Sequence, residues 1–306
     1  MKVYYHTAEA AGKINKAVVT TGSFDGVHIG HKLIINRLNE IAAEIGGESV
    51  LITFYPHPRK VLYPEQENLK MINSQEEKII LLRKAGLQNL IIVPFSLEFS
   101  KTTSRDFVVN MLLGQLEARV IVVGHNHHFG YARKGDYSYL YQLSQEMNFG
   151  VEEIPLKMIE NETVSSTKIR KALTEGNIQR ANAYLDHQYI VIGKTGKHGK
   201  LPYSGAEQVL SLTIDSEEKI IPPPGIYATN LFVNDLCMKT MTFIYYPEGG
   251  QVQIDNVMLY DELTIGEERG MLYFYKRVWA EDPVRNGQMN TLALLEAKEM
   301  VEELIY

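Results

Sequence analysis

The residue types and spacing best suited to chemistry occur in Thr21-Gly22-Ser23-Phe24-Asp25-Gly26-Val27-His28-Ile29-Gly30-His31. His28 and His31 are three residues apart at an expected helix start, so both rings can lie on one face beside the positive end of the helix dipole. Phosphate is favoured there, and imidazoles can donate hydrogen bonds to charge that develops on it. Gly22 and Gly26 allow tight turns and a close approach of the backbone to a ligand. The segment predicts a phosphate-binding helix start; the alternative is a glycine turn followed by two surface histidines.

Three further segments place polar and basic side chains where predicted strands end or helices begin. Ligands of parallel sheets bind where the carboxyl ends of the strands gather, so these segments are expected to face a ligand. They are Thr53-Phe54-Tyr55-Pro56-His57-Pro58-Arg59, Val123-Gly124-His125-Asn126-His127-His128-Phe129-Gly130 with Arg133-Lys134-Gly135-Asp136, and Val164-Ser165-Ser166-Thr167-Lys168-Ile169-Arg170.

Each of these segments has an alternative interpretation when it is taken singly. Pro56-His57-Pro58 could form a rigid turn with an exposed histidine. The three histidines of segment 125–128 could suggest a metal site, but no carboxylate or Cys ligand is near them in the sequence, which disfavours this. Ser165-Ser166-Thr167 is a natural N-cap cluster. With Arg170 one turn inside the helix, the same cluster is also a good phosphate clamp.

The elements that must position these residues alternate between strand and helix from residue 17 to about 155. This alternation predicts an α/β domain with a parallel sheet built from right-handed βαβ units. The predicted strands are Ala17–Thr21, Val50–Phe54, Leu90–Val93, Val120–Val123 and Val151–Pro155, and the predicted helices are Lys32–Glu44, Ser74–Ala85, Ser104–Leu116 and Tyr137–Met147.

From about residue 187 the sequence changes to short β-rich runs separated by turn residues. Together with a helical pattern over Met289–Leu304, in which most apolar residues lie on or near one side, they predict a small antiparallel β-barrel closed by a C-terminal helix. We place the domain boundary after the helical stretch Ile178–Leu185, giving domains 1–186 and 187–306. The β-rich runs are Tyr189–Ile192, Val209–Ile214, Gly225–Leu231, Met241–Tyr246, Val252–Val257 and Leu272–Arg277.

The overall composition excludes several classes of protein. With 45% hydrophobic residues, 22% charged residues and a formal net charge of −6, the chain is not expected to present a cationic surface to nucleic acid or to an anionic membrane. The single cysteine, Cys237, cannot form an intramolecular disulfide. Residues 1–13 lack an apolar signal region, and runs such as Val120–Val123 are too short to span a bilayer. We expect a cytoplasmic protein that binds neither nucleic acid nor membranes.

Together, the four segments closely resemble the prokaryotic FAD synthetase family, whose members are usually bifunctional riboflavin kinase/FMN adenylyltransferases. The His-x-Gly-His pattern by itself resembles the wider nucleotidyltransferase superfamily. The resemblance implies a Rossmann-like nucleotidyltransferase domain followed by a riboflavin kinase-like barrel. It also implies that AMP passes from ATP to FMN by direct in-line attack, releasing pyrophosphate and FAD. Mg²⁺ would arrive with ATP, without a dedicated protein metal site.

The resemblance also assigns roles to individual residues. The implied catalytic residues are His28, His31, Ser166 and Arg170. The implied ATP ligands are Gly22, Ser23, Phe24, Asp25, Gly26, Gly30, Asn126, Arg133, Ser165 and Thr167. The implied FMN ligands are Pro56, His57, Pro58 and Phe129. Two positions depart from the family: Asn126 stands where many members have Asp, and Asp186 where members commonly have Gly before the second domain.

The second domain departs further from the family pattern. The family's kinase signature, Gly-Phe-Pro-Thr-Ala-Asn, is followed by a Pro-Pro-x-Gly turn, which is present here as Pro222-Pro223-Pro224-Gly225. At the family's spacing Leu210 and Leu212 stand at the Thr and Asn positions, and leucine can bind neither Mg²⁺ nor phosphate. The position of the catalytic Glu falls on Asp255, which is one methylene shorter. We expect a barrel that keeps its fold as a remnant of the kinase and has lost or greatly weakened its activity.

Three alternatives stay open at this point. The chain could be fully bifunctional, with riboflavin as a further substrate. It could be a non-catalytic regulatory protein that binds flavin or nucleotide. It could also use another substrate of the nucleotidyltransferase superfamily, although the shorter enzymes of that kind lack this combination of motifs. The oligomeric state is not predicted.

Overall fold

The computed structural model describes residues 1–65, 69–125, 127–154, 164–197, 209–247, 250–259, 266–285, 288–289 and 291–304. The chain forms two compact units, one made of Met1–Leu69 and Lys78–Val164 and the other of Lys70–Glu77 and Ser165–Tyr306. The expected boundary between residues 186 and 187 stays a prediction, because a packing unit is not the same as a functional domain.

The first unit is built on a parallel six-stranded sheet, which confirms the predicted α/β class. Its strands are ordered β1-β4-β3-β2-β5-β6, and all of its paired strands run parallel. The strands are β1 (Lys2–Tyr4), β2 (Ala17–Thr21), β3 (Glu48–Tyr55), β4 (Asn89–Pro94), β5 (Val120–Gly124) and β6 (Gly150–Ile154).

The central strands are continuous apolar runs because both faces of the sheet are covered. Every residue of β2 is buried. Val18 packs with Leu38 and Ile41 on one face, whereas Val19 and Ile121 belong to the larger core on the other face. This two-sided burial explains why the strands read as β-branched runs rather than as an alternating pattern.

The four predicted helices are present in the predicted order, but one differs in its start and one in its type. Two further short helices, Thr7–Ala10 and Pro58–Leu62, and the strand Lys2–Tyr4 were not predicted. The helix after β2 begins at Ile29 instead of Lys32, because His28 caps it. The segment predicted as a helix over residues 104–116 is one α-helical turn followed by a π-helix, Phe107–Gln115, since its apolar pattern does not distinguish the two hydrogen-bond spacings. The helices are α1 (Thr7–Ala10), α2 (Ile29–Ile45), α3 (Pro58–Leu62), α4 (Gln75–Lys84), α5 (Ser104–Asp106) and α6 (Tyr137–Met147).

The second unit contains a closed antiparallel barrel and a C-terminal helix, as predicted. The strand order around the barrel is β10-β11-β8-β7-β12-β9. The strands are β7 (Tyr189–Lys197), β8 (Val209–Thr213), β9 (Gly225–Val233), β10 (Leu236–Tyr245), β11 (Gln253–Met258) and β12 (Arg269–Trp279), with a small hairpin of β13 (Val284–Arg285) and β14 (Gln288–Met289). The helices are α7 (Ser166–Thr174), α8 (Ile178–Leu185) and α9 (Thr291–Leu304).

The face that α9 buries is narrower than its apolar pattern predicts. Leu294, Ala297 and Val301 are buried in the barrel core, whereas Leu292 and Leu295 are about 60% exposed. The spacing of the buried residues is i, i+3, i+7, the single stripe with which a helix contacts a neighbouring surface.

Candidate active site

The first unit contains a cavity of about 970 Å³ at the carboxyl ends of its central strands. Thr21 ends β2, Phe54 lies near the end of β3 and Gly124 ends β5, and all three residues line the cavity. The order of the sheet reverses between β2 and β5, and such a switch point is where open α/β sheets bind their ligands.

The turn after β2 forms one wall of the cavity. Gly22 donates its backbone N–H to the Ile52 carbonyl at 3.0 Å, and a Cβ on Gly22 would lie 3.0 Å from the Phe24 ring. Phe24 and Val27 adopt positive φ angles of 46° and 42°. Non-glycine residues adopt this conformation at a cost that the surrounding structure must offset, and such residues concentrate at functional sites.

His28 and His31 lie together at the start of α2, as predicted. The Nδ1 atom of His28 accepts a hydrogen bond from the backbone N–H of His31 at 3.4 Å, so His28 is the N-cap of the helix. The two rings stack with centroids 3.6 Å apart, and the Phe24 ring stacks on His31 at 4.4 Å. Both imidazoles line the cavity, which places two hydrogen-bonding side chains beside a helix N-terminus.

The protonation of His31 is set by its surroundings. Burial holds the pKa of His31 well below its ordinary value, and the neighbouring His28 and Lys78 lower it further. The Nδ1 atom of His31 is buried and has no hydrogen-bond partner among the described residues. A neutral imidazole still donates one N–H, so His31 can contact a phosphate through a hydrogen bond without carrying a full positive charge.

A buried pair of opposite charges lies beside this turn. Asp25 and Lys78 are both buried; burial lowers the pKa of Lys78, and the charge of Asp25 opposes that shift. Lys78 was not predicted as a site residue, because a lysine in a helix usually faces solvent. Asp25 itself is not among the described residues that line the cavity.

The loop after β5 forms the opposite wall. The Nε2 atom of His127 lies 3.0 Å from the Oγ1 atom of Thr21, and its ring stacks on Phe129 with centroids 6.0 Å apart. Burial, followed by His128 and Arg133, lowers the pKa of His127 to about 4. His125 pairs with Glu153 at 3.0 Å. Among the residues that the structure describes, no group of three or more His, Cys, Asp or Glu side chains could hold a metal ion.

An aromatic cluster lines the cavity beyond the histidines. The rings of Phe54, Phe95 and Phe99 have centroids 5.7–5.8 Å apart, and Phe107 lies 5.9 Å from Phe129. All five side chains line the cavity. Such a cluster offers a surface on which a flat aromatic ring system can stack. Of these residues only Phe129 was given an individual role from the sequence, and Phe54 lies in a segment expected to face a ligand. Phe95, Phe99 and Phe107 were missed because aromatic residues near strand ends are common in cores.

The structure brings most of the predicted first-unit residues to one cavity. The predicted residues that line it are Gly22, Ser23, Phe24, His28, Gly30, His31, His57, Pro58, Phe129 and Arg133. Gly26 and Pro56 are not among its described lining residues, and Asn126 lies outside the described residues. Arg59 and Thr21 also line the cavity; both belong to the segments singled out in the sequence, but neither was given an individual role.

The remaining predicted ATP ligands lie on α7, in the second unit. Ser165 is the N-cap of α7, and its hydroxyl accepts a hydrogen bond from the Lys168 N–H at 3.3 Å. The Nε atom of Arg170 donates to the Lys70 carbonyl at 3.1 Å. Thus the N-cap interpretation of this cluster holds, and the contacts of Ser165, Ser166, Thr167 and Arg170 with ATP stay predictions.

The kinase-signature positions of the barrel are buried. Leu210 and Leu212 are 4% and 3% exposed. Asp255 is fully buried, and its two carboxylate oxygens accept hydrogen bonds from the Tyr245 hydroxyl at 2.8 Å and the Gln253 amide at 2.9 Å. The Tyr245 hydroxyl and the Gln253 amide therefore each occupy an acceptor site of this buried carboxylate.

Comparison with known proteins gives one consistent family. A family model described as FAD synthetase matches residues 11–168, just over half of the chain. An FAD synthetase from Listeria monocytogenes is 34% identical over 191 residues, which cover 61% of this chain and 76% of that protein. A bifunctional riboflavin kinase/FMN adenylyltransferase from Buchnera aphidicola subsp. Acyrthosiphon pisum is 30% identical over 221 residues, covering 71% and 68%. Another protein of that name, from Listeria monocytogenes, is 28% identical over 283 residues, covering 92% and 86%.

A solved structure extends the likeness to the whole chain. The crystal structure of a macrolide-efflux protein from Streptococcus pneumoniae matches with a TM-score of 0.85 and 22% identity, covering 100% of this chain and 99% of that one. This likeness shows the fold alone.

None of the described helices combines the length and the apolar character that crossing a bilayer requires. The family model and the relatives confirm the resemblance found in the sequence. The protein is therefore a nucleotidyltransferase and belongs to the FAD synthetase family.

Proposed function

We propose that this protein transfers the adenylyl group of ATP to FMN and releases FAD and pyrophosphate. The observation that carries this proposal is the division of one cavity into two chemically different walls. His28 and His31 at a helix start suit the phosphates of a nucleotide, and the phenylalanine cluster around Phe54 and Phe129 suits a flavin ring. The names of the relatives support the same substrates.

The proposed reaction needs positioning more than proton transfer. An oxygen of the FMN phosphate attacks the α-phosphorus of ATP, a new P–O bond forms, and the bond from that phosphorus to the bridging oxygen breaks. Pyrophosphate leaves with that electron pair, and the attacking oxygen is already an anion, so no strong general base is required. His28 and His31, the latter with its pKa lowered by burial, donate hydrogen bonds to the phosphate oxygens as charge develops on them. Mg²⁺ enters as part of the MgATP substrate and neutralises phosphate charge.

Further contacts to ATP are proposed from the sequence resemblance. Ser165, Ser166, Thr167 and Arg170 combine hydroxyls, helix N–H groups and a guanidinium, which is a donor set suited to phosphate. Asn126 and Arg133 are proposed as additional ATP ligands, and Pro56 as an FMN ligand. A cytoplasmic location is proposed from the composition.

We further propose that riboflavin kinase activity is absent or very weak. Leu210 and Leu212 supply no ligand for Mg²⁺ or phosphate, and both oxygens of Asp255 already accept hydrogen bonds inside the barrel. One relative is named FAD synthetase without mention of a kinase, whereas others are named as bifunctional. Full bifunctionality is therefore the second candidate.

Both proposals can be tested by chromatographic detection of FAD and FMN. The purified protein is incubated with MgATP and either FMN or riboflavin, reactions without protein give the background, and His31→Ala is assayed beside the wild type as a variant expected to be impaired. We expect FAD from FMN and neither FMN nor FAD from riboflavin. FMN or FAD formed from riboflavin would show that the kinase has survived. No FAD from FMN, combined with measurable binding of flavin or ATP, would favour a regulatory binding protein instead.

A further inference from the structure

The two walls of the cavity stand on neighbouring strands that separate toward their carboxyl ends. The described ladder between β2 and β5 pairs Val18 with Val120 and Val19 with Ile121, and it ends there. By contrast, the pairing of β2 with β3 continues to Thr21–Ile52. Backbone pairing therefore joins β2 and β5 near their amino-terminal ends but not at their carboxyl ends, where the cavity lies.

A side-chain hydrogen bond crosses this opening. The Thr21 hydroxyl, at the end of β2, meets the Nε2 atom of His127, in the loop after β5, at 3.0 Å. Thr21 directly precedes Gly22, so it fixes the start of the turn that leads to His28. His127 stacks on Phe129, so it fixes the opposite wall. The bond joins the turn proposed to hold the ATP phosphates to the loop after β5, which carries the proposed flavin contact Phe129 and the proposed ATP ligand Arg133.

We propose that His127 is a positioning residue for adenylyl transfer, acting with Thr21 to set the separation between the two substrate-binding walls. The inference rests on the proposed function. An in-line attack requires the FMN phosphate oxygen and the α-phosphorus to meet at a near-contact distance, and a misplacement of about 1 Å can lower the rate by about 10²-fold. The Thr21–His127 bond joins the ends of β2 and β5, so it would control the distance between the FMN phosphate oxygen and the α-phosphorus without touching either atom. Its loss should therefore affect kcat more than the binding of either substrate.

The test uses variants of the full-length protein that remove or keep the hydrogen bond. Thr21→Val is nearly isosteric and removes the hydroxyl, whereas Thr21→Ser keeps it. His127→Phe keeps a stacking ring and removes the nitrogen, whereas His127→Gln keeps a polar group near the position of Nε2. Thr213→Val makes the same chemical change as Thr21→Val at an exposed position of β8. FAD formation gives kcat and the KM values, and quenching of flavin fluorescence gives the affinity for FMN.

We expect Thr21→Val and His127→Phe each to lower kcat by about 10- to 100-fold, with FMN affinity unchanged. The double variant should lose no more than the worse single variant, because both changes break the same bond. Thr21→Ser and His127→Gln should recover most of the activity, and Thr213→Val should match the wild type.

Several results would overturn the inference. Unchanged kcat in soluble, folded Thr21→Val would do so, as would losses that multiply in the double variant. A lowered melting temperature with normal kcat would mean that the Thr21–His127 bond contributes to stability alone and does not position the substrates. If His127→Phe does not fold, the Thr21→Val and Thr21→Ser pair decides alone. If the wild type makes no FAD from FMN, the proposed function and the inference fail together. If it makes FAD and the variants equal it, the inference fails alone.

Discussion

His28 combines an observed role, capping α2, with the proposed role of contacting phosphate, and a change to Ala would remove both. Its Nδ1 atom caps α2, and its ring stacks on His31 at the wall of the cavity. A cap contributes about 0.5–2 kcal/mol to stability, whereas a donor aimed at developing charge contributes to the rate. The two contributions can be separated with a residue that caps a helix and cannot reach a phosphate.

We predict that His28→Ala lowers both stability and the rate of FAD formation, the latter by about 10²–10³-fold. His28→Ser should restore the stability, because Ser is a good N-cap, and leave the rate low. Urea denaturation and steady-state kinetics on both variants check this. Recovery of the rate in His28→Ser would mean that the histidine acts only as a cap.

His31→Ala should lower the rate of FAD formation by a similar factor without the loss of a cap. Its ring has no hydrogen-bond partner at Nδ1 among the described residues, so the change breaks no described hydrogen bond at that atom, although it removes the stacking contacts with His28 and Phe24. Steady-state kinetics with FMN and MgATP measure the effect. A rate close to that of the wild type would exclude His31 from the proposed phosphate contacts.

At the scale of elements, the turn that follows Phe129 depends on a glycine in a tightly packed position. Gly130 has a φ angle of +71°, and a Cβ there would lie 2.4–2.7 Å from side-chain and backbone atoms of Ser104. Ala132 and Arg133 also have positive φ angles. This turn carries Arg133 to the cavity, and α5, which begins at Ser104, sets its position.

We predict that Gly130→Ala destabilises the protein and lowers FAD formation, since the turn must move away from α5. Gly12→Ala is the matched control: its φ angle is +67°, and nothing lies within 4 Å of the added Cβ. The free energy of unfolding of the control should fall by only about 1–2 kcal/mol, which is what a non-glycine residue costs in the left-handed conformation. Chemical denaturation of both variants isolates the steric part of the effect. Equal losses would mean that Ser104 accommodates the methyl group.

At the scale of the whole molecule, a buried ion pair joins distant parts of the chain within the second unit. Lys219 and Glu77 are 142 residues apart, and their Nζ and Oε2 atoms lie 2.6 Å from one another. Lys219 also donates to the carbonyls of Ile72 and Ile190, and Glu77 accepts from the Ile192 N–H. Each charge is paired and each is satisfied by further hydrogen bonds, which is the condition under which burial is tolerated.

Lys219→Met should cost about 3–5 kcal/mol of unfolding free energy, because it leaves a buried carboxylate without its partner. Adding Glu77→Gln should recover much of that loss, since the amide still accepts from Ile192 and carries no charge. Arg269→Met removes a cation from a largely exposed pair with Glu76 and Asp215 and should cost no more than about 1 kcal/mol. Urea denaturation of Lys219→Met, of the double variant with Glu77→Gln and of Arg269→Met gives the three free energies of unfolding to compare. Equal losses for the two single variants would contradict the argument.

The buried histidines of the first unit predict a loss of stability in acid. The folded protein holds the pKa of His127 at about 4 and that of His31 well below its ordinary value, so between about pH 6.5 and pH 4 the unfolded chain binds more protons. Their contribution to stability is present above about pH 6.5 and is lost as the pH falls toward 4. His127→Gln should therefore lose less stability between pH 7 and pH 5 than the wild type in denaturation experiments. An equal loss would contradict the shift at His127.

Local sequence patterns alone were enough to predict the classes of the two folded regions and the histidine-bearing turn that lines the cavity of the first unit. β-branched runs and helical spacing are local patterns, so they revealed the parallel sheet and the antiparallel barrel before any contact was known. The proximity of His28 and His31 could also be predicted, because two residues three apart at a helix start lie on the same face. The helix start at Ile29 was missed by three residues because the cap is made by a histidine, which is an uncommon capping residue.

The contacts between distant side chains and the burial of charges became known only from the folded structure. The bond between Thr21 and His127 depends on how two strands diverge, and the pair of Glu77 and Lys219 depends on how segment 70–77 packs in the second unit. The sequence assigned Asp255 to the remnant of a kinase, but the hydrogen bonds that occupy its carboxylate required the register of β10 and β11. Local patterns fix the type of each element, whereas burial and pairing across more than a hundred residues arise only when the elements are packed together.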